Sequence, residues 1–468
     1  MLARAGLVLA TLALGACASL QAPPEERAAP VLQTPAEWQA PLPHNGQRTD
    51  LAQWWAQFQD PLLSQLIDAA QDASASVAGA RARIEQARAT LAGARAALGP
   101  SLNAVGSASR GQQDIGMPVG TAVSAGVQAQ WEIDLFGGAR AVRDAAEERV
   151  RATSAAWHEA RVAVAAEVAA QYTTLRACEA QVAQSRLDAQ SRSETARLTD
   201  LAARAGFQAP ANAALARASA AQASAQLTQQ RAQCDLAVKA LVAMTGWAEP
   251  ELRQRLAGGT GRVPEPEGIV VQAVPAQVLA QRPDIEAAAR EVLAAGAEIT
   301  QTRAQRLPRI TLAGSIGAAR FAGTAGSTEG ATWSIGPVAV TIPLFDGGAQ
   351  GVRLLAAQAR HAEAKALYAA RLRTAVREVE DALVQLHSTA GRSEDARIAT
   401  DGFAASLAGA QARYNGGLAS LFELEDARRS AVQAQSALIT LRQERVAAWI
   451  ALYRALGGGW SGDAPTAP

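Results

Sequence analysis

The sequence predicts a mostly helical chain that lends a few membrane strands to a β-barrel shared between copies. Three observations lead there. The segment Trp131 to Gly138, WEIDLFGG, and its echo Ile342 to Gly348, IPLFDGG, each end an extended run in Leu-Phe followed by glycines. Both are followed by about 65 residues of alanine-rich helix pattern, and Phe136 and Phe345 lie 209 residues apart. Residues 123–135 obey period 2 without a break, with Val123, Ala125, Val127, Ala129, Trp131, Ile133 and Leu135 alternating with polar or small residues. Ordinary strands run about 5–6 residues, whereas membrane barrel strands need about 9–11.

Composition sets the outer bounds. The chain has 468 residues and a net charge of +1, which gives no bulk electrostatic case for nucleic acid. Aromatic residues make up 4% and hydrophobic residues 49%, much of it alanine. That mixture suits close helix packing better than one large globular core. Past the N-terminus no run of about 18 apolar residues occurs, so any membrane crossing must be made by strands of a closed barrel.

The first seventeen residues read as an export signal. Arg4 is a short basic region, and Gly6 to Leu14 is apolar but too short to span a bilayer. Leu14-Gly15-Ala16-Cys17 reads as a lipobox, so the mature chain would begin at Cys17 with a diacylglycerol and an N-acyl lipid attached. An ordinary signal peptide with Cys17 there by chance is the alternative. Acyl chains anchor a protein by burying methylene groups, at about 0.8 kcal/mol each. Residues 18–59, rich in Pro, Ala and Gln, would be the tether, with Trp38, Trp54 and Trp55 packing it and the first helix onto the body.

The remaining elements follow in order. Asp60-Pro61 opens a helix expected to run to about Leu98 and to stop at Gly99-Pro100. Strands are expected over 101–113 and 121–135, then a helix over 139–205 of about 100 Å. Val150, Trp157 and Val164 sit seven apart, the spacing of helices packed side by side. A break at Gly206 to Pro210 precedes a returning helix, about 211–245. Residues 247–275, rich in Gly and Pro, read as a connector. The plan then repeats: helix 283–306, strands 309–321 and 331–345 around a loop from Gly323 to Gly330, helix 348–414, a break at Asn415-Gly416-Gly417, and helix 419–456. The fourth strand changes phase at Pro337.

Landmarks of the halves keep nearly constant offsets: Pro100 with Pro308, Phe136 with Phe345, Phe207 with Leu418, Gly246 with Gly457. The organisation is therefore a signal (1–17), a tether (18–59), a first repeat (60–246), a connector (247–275), a second repeat (276–459) and a tail (460–468). Four strands cannot close a barrel, since small membrane barrels use about eight or more. Cyclic assembly is the natural route, and three copies would supply twelve.

Several motifs in this order resemble the TolC-type outer-membrane factors, in the lipoprotein branch that serves resistance–nodulation–division efflux pumps. They are Asp60-Pro61-Leu62, Leu98-Gly99-Pro100-Ser101, Trp131 to Gly137, Lys239 to Gly246, Arg282-Pro283-Asp284-Ile285, Pro343 to Gly348 and Val379-Glu380-Asp381-Ala382-Leu383. The resemblance implies a homotrimer with one twelve-stranded transmembrane β-barrel continuous with a twelve-helix periplasmic α-barrel. It also implies an outer-membrane setting, a periplasmic adaptor (membrane fusion protein) and an inner-membrane pump as partners, and a role in multidrug resistance.

No catalytic constellation is present, so no enzyme is expected, and neither is a cofactor or metal. His44, His158, His361 and His387 show no ligand spacing, and no Gly-x-Gly-x-x-Gly follows either Leu-Phe strand. The expected function is conduction with a gate where helices converge, at the turns Ala205-Gly206-Phe207 and Asn415-Gly416-Gly417. By resemblance, the second turn is followed by a hydrophobic residue and then an Asp that narrow the pore, here Phe422 and Asp426. Three Asp426 carboxylates would form an acidic ring; the alternative is pairing with Arg429. Glu425, where the family often has an apolar residue, would add charge near the ring or point outward. The resemblance also makes Gly206, Phe207, Gly416 and Gly417 the turns an adaptor approaches.

Cys178 lies 29 residues before Phe207 and Cys234 lies 27 after it, so an antiparallel helix pair puts them at nearly one height. In an oxidising compartment a disulfide is expected; two buried thiols are the alternative. Two other functions compete with efflux: the exit channel of a type I protein secretion system, and a lipid-anchored coiled-coil spacer. By the family resemblance the lipobox favours efflux, since secretion members usually lack it, and the period-2 stretch does not fit a spacer.

Overall fold

The computed structural model describes residues 38–40, 51–112, 119–266, 279, 282–324 and 326–460. Cys17 and most of the tether lie outside them, as do residues 267–275 of the connector and the tail beyond 460. After a 3-10 helix at Leu51–Phe58 come α1 (Pro61–Ala73), α2 (Ala75–Ala96), β1 (Ser101–Gly111) and β2 (Gly120–Ile133). Next are α3 (Gly138–Arg204), α4 (Pro210–Thr245) and the short α5 (Glu249–Leu256). The second half holds α6 (Pro283–Ala304), β3 (Arg309–Gly323), β4 (Gly326–Thr341), α7 (Ala349–Asn415) and α8 (Leu421–Ala455). Among the described residues no helix is long and apolar enough to cross a membrane. The chain divides into two compact units that each draw on both repeats.

The first unit contains residues 81–155 and 286–370 and is built on one sheet, in the order β1-β2-β3-β4, with every pair antiparallel. The two strands that lead into the long helices stop for local reasons. β2 ends at Ile133 because Asp134 turns to accept the N–H groups of Ala139 (3.2 Å) and Arg140 (2.9 Å), capping α3. Asp346 does the same for α7, through Gly348 (2.9 Å) and Gln350 (2.8 Å). β4 ends at Thr341, short of the expected 345, since Pro343 has no N–H to give the ladder. The expected loop from Gly323 to Gly330 is mostly strand: Gly323 pairs with Gly326, so the turn is tight and β4 starts five residues early. Leu312 pairs with Val338 but Gly314 with Ile335, so Gly336-Pro337 inserts one extra residue into β4. That bulge is the phase change read at Pro337. Trp131 donates its indole N–H to the Leu98 carbonyl at 2.9 Å, tying β2 to the end of α2.

The second unit contains residues 32–80, 156–285 and 371–468. Its core gathers Trp54, Leu66, Val168, Tyr172, Leu175, Leu241, Val379, Leu383 and Trp449. Trp54 meets Trp449 edge-on at 6.3 Å, and Trp38 and Trp55 pack against the same cluster, as expected. The helix expected from Asp60 to Leu98 is broken. Ser74 is extended, and its hydroxyl accepts the Val77 N–H at 3.3 Å, so it ends α1 and starts a new helix.

The polar positions of the motifs work as ties in this unit. Asp60 caps α1 through the Leu62 N–H (3.0 Å) and accepts the Tyr172 hydroxyl at 2.5 Å. Burial, with the Asp60 carboxylate, raises the Tyr172 pKa, so the hydroxyl stays a donor. Arg282 is buried and bonds Asp284 twice (2.9 and 2.8 Å), Glu378 (2.8 Å) and the Ala455 carbonyl (2.9 Å). The Glu380 carboxylate accepts the backbone N–H groups of Gln39 (2.7 Å) and Ala40 (2.8 Å). The connector holds a helix, α5, that its Gly and Pro content hid: Pro250 sits in the first turn, and Leu252 and Leu256 are buried one turn apart.

Candidate functional site

The sheet is two-faced over most of its length. Residues paired across strands point the same way, so the register sorts every side chain. One face carries Ile133, Trp131, Ala129, Val127 and Ala125 of β2 and, opposite them, Ile310, Leu312, Gly314, Ile316 and Ala318 of β3. Leu102, Ala104 and Gly106 extend these rows on β1, and Val340, Val338, Ile335, Trp333 and Ala331 on β4. Five rows pass without a polar side chain, about 27 Å along the strand. Ile335 is 88% exposed in the single chain. The other face is richer in hydroxyl, amide and glycine, with Val105, Phe321 and several alanines among them: Ser107 bonds Ser124 at 2.8 Å, Ser315 bonds Ser334 at 2.8 Å, and Asn103, Gln128, Gln130 and Thr332 lie in the same rows. Gly126 and Gly317 face each other where a Cβ on either would strike the opposite backbone, at 2.7 and 2.5 Å. Apolar on one side and mostly polar on the other is the pattern of a barrel wall between lipid and water. β1 and β4 each keep one edge without a partner strand among the described residues.

Within the second unit, the two helix turns share one backbone design. Phe207 N–H reaches the Ala202 carbonyl (2.8 Å) across Gly206 at φ +80°, and Leu418 N–H reaches the Arg413 carbonyl (2.8 Å) across Gly417 at φ +72°. Both glycines take left-handed conformations that side chains avoid. Gly417, not Gly416, is thus the counterpart of Gly206. Phe207 and Leu418 are 85% and 80% exposed.

Ser420 then caps α8 through the Glu423 N–H at 3.1 Å. Phe422 is 69% exposed, and Asp426 lies one turn on, exposed and 3.7 Å from Arg429. Asp426 is therefore both on the Phe422 side of α8 and loosely paired with arginine.

Glu425 neither joins these residues nor points to solvent. It is buried, accepting Arg192 (2.8 Å), Ser219 (2.6 Å) and Arg428 (2.6 Å). Arg428 continues to Ser191 (3.0 Å), Thr195 (3.3 Å) and Gln411 (3.2 Å), and Arg192 to Asp188 (2.9 Å). The network joins α3, α4, α7 and α8, over an apolar cluster of Ala196, Ala216, Ala410, Leu421 and Leu424. Sequence reasoning missed it. The available signal was the charge at a position where an apolar residue was expected, with arginine at i+3. Cys178 and Cys234 are joined by a disulfide, with Cα atoms 5.6 Å apart.

The model of the family described as outer membrane efflux protein matches residues 66–247 and 274–458. The chain belongs to that family. It is 32% identical to outer membrane protein OprJ of Pseudomonas aeruginosa over 97% of this chain and 95% of that one. It is 30% identical to the pyoverdine export outer membrane protein OpmQ of Pseudomonas putida over 97% of each. Among solved structures, the outer-membrane channel OprN matches with a TM-score of 0.80 at 25% identity, covering 93% of this chain and 99% of that one. The fold class read from the sequence, a duplicated helical unit with four strands of a shared barrel, is that of the family. The protein is an outer-membrane efflux channel, and members of this family are channels rather than enzymes.

Proposed function

We propose that three copies join β1 of one to β4 of the next, closing a twelve-stranded barrel, while their helices form a twelve-helix tube in the periplasm. Small molecules, drugs among them, pass through it to the exterior. The observation that carries this is the sheet: five apolar rows on one face, mostly polar rows on the other, and two open edges among the described residues. An open edge is a template for another strand, and a barrel abolishes edges by closure.

The tube is gated at its tip by Phe422 and Asp426, exposed on one face of α8. The turns at Gly206-Phe207 and Gly416-Gly417 receive a periplasmic adaptor, which couples the channel to an inner-membrane resistance–nodulation–division pump. The exposed Phe207 and Leu418 support a protein partner there. Lipid on Cys17 anchors each copy in the outer membrane.

Native mass spectrometry of detergent-extracted protein tests the assembly. A mass of three mature chains, each with a lipid increment at Cys17, is expected; a monomer or dimer under mild conditions would remove the shared barrel. Asp426→Ala is expected to raise the conductance of the channel in planar bilayers; unchanged conductance would move the gate elsewhere.

A further inference from the structure

The register that divides the sheet also locates its charge. Among the described residues of the four strands, only Glu132 and Arg309 are ionisable on the polar face. Both lie where the strands meet the helices: Glu132 is the last residue but one of β2, and Arg309 is the first of β3. Glu132 pairs across the strands with Thr311, and Arg309 is the next residue of β3 on that face. The two are therefore diagonal neighbours, and both are exposed. The charges at the opposite end of the sheet, Arg110, Arg320 and Glu329, belong to the apolar face. Beyond β2, Asp134 and Arg140 pair with each other at 3.1 Å and compensate locally.

We propose that Glu132 and Arg309 form a mixed-charge collar at the helix-side mouth of the barrel and set its ion selectivity. The inference rests on the shared-barrel reading. A threefold assembly places three carboxylates and three guanidinium groups at one level, and equal numbers of each sign cancel. Above them the wall carries no further charge among the described residues, and its hydroxyl and amide dipoles, set among small and apolar side chains, turn to ions of either sign. The barrel thus admits cargo of both charges. Losing one member of the pair leaves three like charges facing one another in a low-dielectric cylinder, which focuses their field on the path. Its glutamate belongs to WEIDLFGG, where it is exposed and neither caps a helix nor packs in a core.

The test is the reversal potential of the full-length channel in planar bilayers under a potassium chloride gradient. Asp426→Asn is used as the parent, so that tip carboxylates do not contribute. Glu132→Gln is expected to lower the potassium-to-chloride permeability ratio and Arg309→Gln to raise it, each by about twofold or more. The double variant returns to the parent value. Native mass spectrometry checks that each variant forms the trimer, and if one single variant fails to assemble, the other decides alone. Single variants that conduct with unmoved reversal potentials overturn the collar and leave the channel standing. A parent that neither assembles nor conducts takes down the shared barrel, and the collar with it.

Discussion

Arg192 of α3 and Glu425 of α8, 233 residues apart in the chain, lie 2.8 Å apart in a nearly buried contact beside the tip. Glu425 serves two guanidinium groups and a hydroxyl at once, so all four tip helices depend on one carboxylate. Removing one partner from a buried ionic network leaves uncompensated charge and costs about 3–5 kcal/mol. Glu425→Ala is expected to raise hydrogen exchange over residues 185–195 and 421–430 while leaving the strands protected. Unchanged exchange at the tip would show that the network holds nothing there.

The disulfide closes a loop with a sequence separation of 56. A loop of that size removes unfolded-chain entropy worth about 4 kcal/mol. Reductant is expected to lower the denaturation temperature, and a Cys178→Ala/Cys234→Ala variant to unfold at the reduced value whether or not reductant is present. Equal denaturation temperatures for oxidised and reduced protein would contradict this.

The two faces of the sheet make opposite predictions for neighbouring residues. Ile316 lies in the apolar rows and Ser315 in the polar ones. Arginine at a mid-membrane lipid-facing site costs about 2–4 kcal/mol. Ile316→Arg is expected to reduce the yield of folded trimer sharply, and Ser315→Arg to be tolerated and to alter conductance. The reverse ranking would exchange the faces.

His158 in the second unit stands beside Trp157 (4.7 Å between ring centres) and Trp460 (6.0 Å). Burial, and then the nearby Arg161, hold its imidazole below the ordinary value of 6.5. The unfolded chain takes up the proton first, so this group adds stability above about pH 6.5 that is lost as the pH falls through that value towards the folded one. His158→Gln is expected to narrow the gap between denaturation temperatures measured at about pH 8 and about pH 5.5. The effect is modest because the ring is half-buried. An unchanged gap would show that the histidine does not contribute.

Much of the fold was legible because period and punctuation agree. The alternation at 123–135, Gly206 and Gly417 after long helices, and equal offsets between halves each have a local physical cause. The two cysteines were legible because a hairpin converts sequence distance into height. The break at Ser74 was not: nothing in Ala73-Ser74-Ala75-Ser76 distinguishes a cap from a helical serine until the hydroxyl is seen to accept the Val77 N–H. The helix α5 was hidden by the glycines and prolines around it. The burial of Glu425 was illegible for a different reason. A carboxylate is placed inside only by what meets it, and its partners come from helices far away in the sequence.

The two longest helices, α3 and α7, contain 67 residues each. One residue lost from either would turn everything beyond it by about 100° and withdraw it by about 1.5 Å. In α3 such a loss between Tyr172 and Cys178 would carry Cys178 off Cys234 and Arg192 off Glu425 together. Over evolutionary time the exposed faces of these helices can therefore change in letters far more readily than the helices can change in length. Insertions and deletions among homologues belong in the hairpin ends, the tether and the connector, and those that do enter a helix come as whole turns.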